Sequence, residues 1–138
     1  MIKVIMGLKG MGKTKTLIDS VNSSVNEEHG NVICIEKDHK LRYDISYKAR
    51  LISANEYDID SFDKFYGFIC GLIAGNYDIT AVYVDSILKI CGENMEDFYS
   101  FLKKIEKLTE NIKVFMTASY DIEKVPENLR EYIHHHDK

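Results

Sequence analysis

Apolar residues recur along this chain with two alternating periods. Ile2, Val4, Ile5 and Met6 form a short run read as a strand, and Lys13 to Glu28 then carry Leu17, Ile18, Val21 and Val25 at helical spacing. Asn31 to Glu36 reads as a second strand of nearly continuous hydrophobicity, the pattern of a strand covered on both faces. A polar loop follows, then a brief apolar stretch at Leu51 and Ile52 that predicts a short edge strand. From a cap at Asp60 or Ser61, the spacing of Phe62, Phe65, Tyr66, Ile69, Leu72 and Ile73 predicts a helix that stops at Gly75 and Asn76. Its Gly67 and Gly71 share one face and are expected to permit close packing on the sheet. Ile79 to Asp85 predicts a third buried strand. Met95 to Thr109 predicts a helix with Met95, Phe98, Leu102, Ile105 and Leu108 inward and Lys103, Lys104, Glu106 and Lys107 outward. Ile112 to Thr117 is the last core strand expected, and Pro126 stands at a suitable first position for a tail helix. Strands alternating with amphipathic helices at crossover spacing predict an α/β fold in three layers, a mostly parallel sheet of about five strands with helices on both faces.

Composition narrows this further. With 138 residues, 45% of them hydrophobic, the chain is expected to form one compact domain over 1–138, with about 121–138 as a C-terminal tail or helix. The first apolar run is too short for a signal peptide. Phe65 to Ala74, the longest apolar candidate, has about half the length that crosses a bilayer, so a cytoplasmic protein with no membrane partner is expected. Cys34, Cys70 and Cys91 are odd in number and far apart, support neither a disulfide framework nor a zinc ribbon, and read as small buried residues. A net charge of −4 argues against a general nucleic-acid surface. The local exception is residues 37–50, where Lys37, His39, Lys40, Arg42, Lys48 and Arg50 stand with Tyr43 and Tyr47 among them. Such a segment can grip a nucleotide, a nucleic acid or an acidic partner, or it can be a solvated loop diluted by Asp38 and Asp44; both readings stay open. His134 to His136 form a short His-rich tract that could hold a transition metal, but a place near the chain end favours an untethered tail.

The candidate chemistry sits between the first strand and the first helix. Gly7 to Thr14 read Gly-Leu-Lys-Gly-Met-Gly-Lys-Thr, a complete G-x-x-x-x-G-K-[ST] phosphate-binding loop. The pattern arises by accident in about one chain in 200 of this length, and the strand before it and the helix after it make accident rarer still. Its glycines allow a turn whose amide hydrogens point at nucleotide phosphates, with the positive end of a helix dipole behind them. The expected ligand is ATP with Mg²⁺. Lys13 is expected to reach the β- and γ-phosphates and the Thr14 hydroxyl to ligate the ion, while Gly7, Leu8, Lys9, Gly10, Met11, Gly12 and Lys15 complete the binding loop. Asp85, at the carboxyl end of an apolar strand, is the acidic complement for Mg²⁺, although an aspartate there can also cap the turn that follows.

The ordering of phosphate loop, strand with an acidic end, short strand, helix, Asp-bearing strand and strand with a polar end resembles the RecA recombinase and KaiC branch of the P-loop ATPases. Val82-Tyr-Val-Asp85-Ser86-Ile87 is similar to that family's second motif, and Val32 to His39 to the segment where it keeps its catalytic glutamate. The resemblance implies a minimal P-loop protein that hydrolyses ATP slowly, with Lys13 and Asp38 as catalytic residues, Asp38 as base and Glu36 as its competitor. It places Thr117 and Ser119 where the family senses the γ-phosphate, though the family's Gln is missing there and Asp38 is shorter than its glutamate. The family's DNA-binding loops have no counterpart, so recombination is not implied. Its strand order would leave the phosphate-loop strand at an open edge, which predicts a homo-oligomer or a tail folded across that edge. None of Arg42, Arg50 and Arg130 lies within the loop or next to Asp85, so brisk turnover is expected to await a second copy or a protein partner. Two rivals stand beside this reading. Type II thymidine kinases are similar in the Gly-Lys-Thr-x-x-Leu-Ile start of the first helix and in Arg42-Tyr43, which would imply a nucleoside or nucleotide kinase, but their Asp-Glu motif, zinc site and lasso are missing. A non-hydrolysing ATP-dependent switch or assembly subunit is the third class.

Overall fold

Alternate residues of the inner strands go to opposite faces of a sheet, and each face finds a cover. The computed structural model describes residues 1–135. Along the chain come β1 (Ile2–Gly7), α1 (Lys13–Glu27), β2 (Asn31–Glu36), β3 (Arg50–Ser53), α2 (Phe62–Gly75), β4 (Ile79–Val84), α3 (Ile87–Cys91), α4 (Met95–Leu108), β5 (Lys113–Ser119) and β6 (Ile133–His135). Short 3-10 turns occupy Ala54–Tyr57, Ile122–Lys124 and Glu127–Tyr132. The strands form one parallel sheet in the order β3-β2-β4-β5-β1-β6. Among the described residues no helix is long and apolar enough to cross a membrane.

The continuous hydrophobicity of the inner strands has its cause in this two-sided burial. On β2 and β4, Val32, Cys34, Ala81 and Tyr83 pack with Leu17 and Val21 of α1. Their neighbours Ile33, Ile35, Val82 and Val84 join the larger core on the other face, built with Phe62, Phe65 and Ile69 of α2 and Phe98, Leu102 and Ile105 of α4. Ring contacts tie α2 to α4, with Phe62 stacked on Phe98 at 5.4 Å between centroids and Phe65 meeting Phe101 edge-on at 5.7 Å. Of the two caps expected for α2, Ser61 and not Asp60 starts it by accepting the Lys64 amide hydrogen; Asn94 caps α4 in the same way by accepting from Asp97.

Several expectations need correction. Residues 37–49 form a loop but not a wholly solvated one, because Leu41, Ile45 and Ala49 are buried against α1 and the sheet. Gly67 and Gly71 do not allow a close approach to the sheet; both are exposed, with nothing within 4 Å of where a Cβ would stand. Cys34 is fully buried, whereas Cys70 and Cys91 are half-buried. The tail forms no α-helix. Pro126 precedes a 3-10 turn, and Ile133, His134 and His135 then pair with Val4, Ile5 and Met6 as a sixth strand. His134 and His135 therefore do not belong to an untethered tail, and His136 lies outside the described residues. Of the two covers foreseen for the edge of β1, the chain supplies the tail, anchored by the buried Val125, Leu129 and Tyr132. The Tyr132 hydroxyl also donates to Glu106 of α4 at 2.8 Å.

Candidate functional site

Because every strand is parallel, β1, β5 and β4 deliver their carboxyl ends to one rim of the sheet, and a cavity of about 590 Å³ opens there. Its first wall is the turn between β1 and α1. Gly10 and Gly12 hold φ of +84° and +87°, a conformation other L residues rarely adopt, and Gly12 is the residue on which α1 starts. Nothing lies within 4 Å of a Cβ position at Gly10, so the loop is free to close its backbone on a ligand. Lys13 is only 6% exposed and donates from Nζ to the Leu8 carbonyl at 2.8 Å. Burial lowers its pKa from the ordinary lysine value, and the Asp85 carboxylate opposes that shift. Lysine in this setting is a desolvated cation held in place by the loop itself.

The middle of the site is a hydroxyl and carboxylate network. Thr14 donates from Oγ1 to Asp85 Oδ1 at 3.1 Å, joining residues 71 positions apart. Thr117, buried on β5, donates to the same carboxylate oxygen at 2.9 Å and accepts the Ser86 amide hydrogen at 2.7 Å. Ser86 Oγ lies 3.4 Å from Asp85 Oδ2. Ser86 has φ 60° and ψ 57°, the left-handed region, and turns the chain from β4 into α3. A hydroxyl that lines the cavity and a carboxylate bonded directly behind it are the hard oxygen donors that suit Mg²⁺, an ion that keeps most of its shell as water and phosphate. Among the described residues no group of three or more His, Cys, Asp or Glu side chains is placed to hold a metal.

The remaining predicted residues fall in different places. Leu8, Lys9, Gly10, Gly12, Lys13, Thr14, Thr117 and Ser119 line the cavity; Leu8 is unusual there as an apolar side chain 58% exposed. Gly7 ends β1, and its carbonyl accepts the Tyr120 amide hydrogen at 3.1 Å. Met11 and Lys15 lie outside the lining, Lys15 pairing instead with Asp19 at 3.3 Å along α1. Glu36 and Asp38 do not line the cavity. Glu36, 4% exposed, accepts the amide hydrogens of Lys40 at 2.9 Å and Leu41 at 3.1 Å, so its charge folds the basic loop back on β2. Asp38 accepts a hydrogen bond from the Asn55 side chain.

The far wall carries little local signal in the sequence. Leu88, Lys89, Glu93 and Tyr120 line the cavity with Ser86, and all but Tyr120 belong to the segment that follows Asp85. Only the Asp-Ser pair carried a signal there, since a helix of five residues has too few positions to show a period.

No protein-family model matches this chain, and no curated protein sequence matches it. Among solved structures it is similar to the flagellar accessory protein FlaH from Methanocaldococcus jannaschii, with a TM-score of 0.59 at 14% sequence identity. The likeness covers 93% of this chain and 64% of that one, so the chain spans a little under two-thirds of its structural neighbour. At that identity the likeness speaks for the fold alone, an α/β architecture of one parallel six-stranded sheet with helices.

Proposed function

We propose that this protein binds ATP with Mg²⁺ at the cavity between the Gly7–Thr14 loop and α3 and turns it over slowly, acting with a partner or a second copy. The observation that carries the reading is the contact between Thr14 and Asp85, which brings the two oxygen donors expected of a nucleotide-bound cation together beside a glycine turn and a buried lysine. In this reading the amides of residues 8–15 and the Lys13 ammonium hold the phosphates, Thr14 and Asp85 hold the ion, and Thr117 holds Asp85. Bound Mg²⁺ would neutralise charge on the two outer phosphates. Asp38 is the proposed base, because Glu36 is committed to two backbone amides. Asp38 stands away from the cavity lining and carries a hydrogen bond from Asn55, which supports slow turnover and favours holding ATP over consuming it.

The test is isothermal titration of ATP and GTP into the full chain with and without Mg²⁺, followed by product analysis with labelled ATP. ATP should bind to the parent, and Lys13→Ala should weaken binding by 10-fold or more while the far-UV spectrum is kept, since a charge-assisted contact is worth roughly 1.5–3 kcal/mol. Asp85→Asn should reduce only the Mg²⁺-dependent part of the affinity. Asp38→Asn should spare binding and remove hydrolysis. Free phosphate as product supports the hydrolase, a phosphorylated nucleoside a kinase, and intact ATP a switch. A Lys13→Ala chain that binds ATP as tightly as the parent would sink the reading.

A further inference from the structure

The far wall of the cavity holds a cation that the phosphate loop does not supply. The left-handed Ser86 turns the chain so that α3 starts directly after Asp85, and Ile87, Leu88 and Ile90 are buried beneath it. Lys89 is the exposed residue among them, and it lines the cavity together with Lys13 and Thr14. Its ammonium has no hydrogen-bond or ion-pair partner among the described residues. Lysines 9, 13 and 89 face a single lining carboxylate, Glu93, so the space favours a polyanion. Lys9 stands on the exposed part of the loop, whereas Lys89 stands on a segment fixed by three buried neighbours.

Topology says which end of a bound nucleotide would meet it. β5 separates β1 from β4, so the loop after β1 and the segment after β4 stand two strand spacings apart, roughly 10 Å, on either side of the rim. The proposed ion site at Thr14 and Asp85 lies between them, and a cation held there would neutralise charge on the outer phosphates of a nucleotide. The terminal phosphate therefore falls on the side of the cavity from which Lys89 projects.

We infer that Lys89 reads the terminal phosphate, making the site discriminate a nucleoside triphosphate from a diphosphate. This rests on the proposed ATP reading and adds to it a determinant on the same chain. A diphosphate engages the loop, Lys13 and the ion but leaves Lys89 unpaired. A triphosphate engages all of them.

The experiment is isothermal titration, with Mg²⁺, of ADP and of a non-hydrolysable β,γ-imido analogue of ATP into the full chain. Four proteins are compared: the parent, Lys89→Met, Lys89→Arg, and Lys107→Met on the outer face of α4 as the control for net charge. Lys89→Met should lose about 10-fold in affinity for the triphosphate analogue and less than about 2-fold for ADP. Lys89→Arg should keep most of the preference, and Lys107→Met all of it. Equal losses for both nucleotides in Lys89→Met, or no loss for either, overturn the role of Lys89 while leaving the ATP reading standing. A parent chain that binds neither nucleotide overturns the ATP reading and this inference with it.

Discussion

Replacing Thr117 by Val tests whether the Asp85 carboxylate is held by the sheet or simply stands near it. The side chains have nearly the same shape, so the change isolates one hydroxyl, on a residue that is 1% exposed. Two bonds vanish. The Ser86 amide hydrogen loses its 2.7 Å acceptor, and Asp85 loses its 2.9 Å donor while keeping Thr14 and Ser86 Oγ. A donor stranded in a partly buried turn costs about 1–3 kcal/mol, and the charge-assisted bond adds to it, whereas the new methyl returns a fraction of that by apolar burial. The net expectation is a loss of about 2–3 kcal/mol, or roughly 6–12 °C in Tm for a chain of this length. Urea unfolding followed by circular dichroism gives the free energy directly. Thr117→Ser keeps the oxygen and should recover more than half of the loss, while Ser119→Ala, at an exposed position two residues on, should stay within about 0.5 kcal/mol of the parent. A Thr117→Val chain as stable as the parent would refute the reasoning and leave Asp85 without its support.

Leu129→Ala should cost about 2–4 kcal/mol in the same unfolding assay, since Leu129 is 0% exposed within the main core; a loss near zero would mean that the tail is not docked. Gly67→Ala should raise stability by about 0.5–1 kcal/mol, because the site is helical with open space around it; a drop in Tm would reveal a contact across that face. Burial, and next the hydrogen bond to Glu106, push the Tyr132 pKa up to about 12 from an ordinary value of 10, against a smaller opposing pull from Lys103. A raised folded value means that the stabilisation from Tyr132 is fully present below pH 10 and lost as pH rises through about 12. The stability gap between the parent and Tyr132→Phe should accordingly narrow between those pH values, as read from melts across the range; a constant gap would contradict the sign.

What the sequence revealed and what it hid divide along a physical line. Contiguous signals were legible: Gly7 to Thr14 state the loop in eight adjacent residues, and β2 and β4 announce burial on both faces by unbroken hydrophobicity. Asp85 was singled out because the Gly7 to Thr14 pattern calls for an acidic residue at the end of another apolar strand, and the fold brings its carboxylate 3.1 Å from the Thr14 hydroxyl. Three features depended on tertiary context and gave no local pattern. Leu41, Ile45 and Ala49 are spaced four apart inside a segment whose other residues are mostly charged or polar, so their burial was masked. β6 is three residues long, two of them His, and forms a strand because the backbone groups of β1 stand open beside it. Glu36 ends a strand as Asp85 does, and only the fold of residues 37–41 shows that its carboxylate is occupied by amide hydrogens and not by a ligand.

The position of β1 between β5 and β6 carries a consequence for the order in which the molecule can be assembled. Among the described strands, the earliest in the chain is the one whose two neighbours come last in order: Ile2 pairs with Val114, and Val4 with Ile133. At translation speeds of about 5–20 residues per second, the apolar segment Ile2 to Met6 waits roughly 5–20 s for its first partner. The sheet cannot be zipped from the amino terminus onward. β2, β3 and β4 can join as they emerge, but the Gly7–Thr14 loop gains its rim only when β5 slots beside β1, once Lys113 to Ser119 have been made. Nascent chains halted before Val114 should thus expose β1 to holdase chaperones and lack the rim of the proposed nucleotide site, and both properties should change together once β5 clears the exit tunnel.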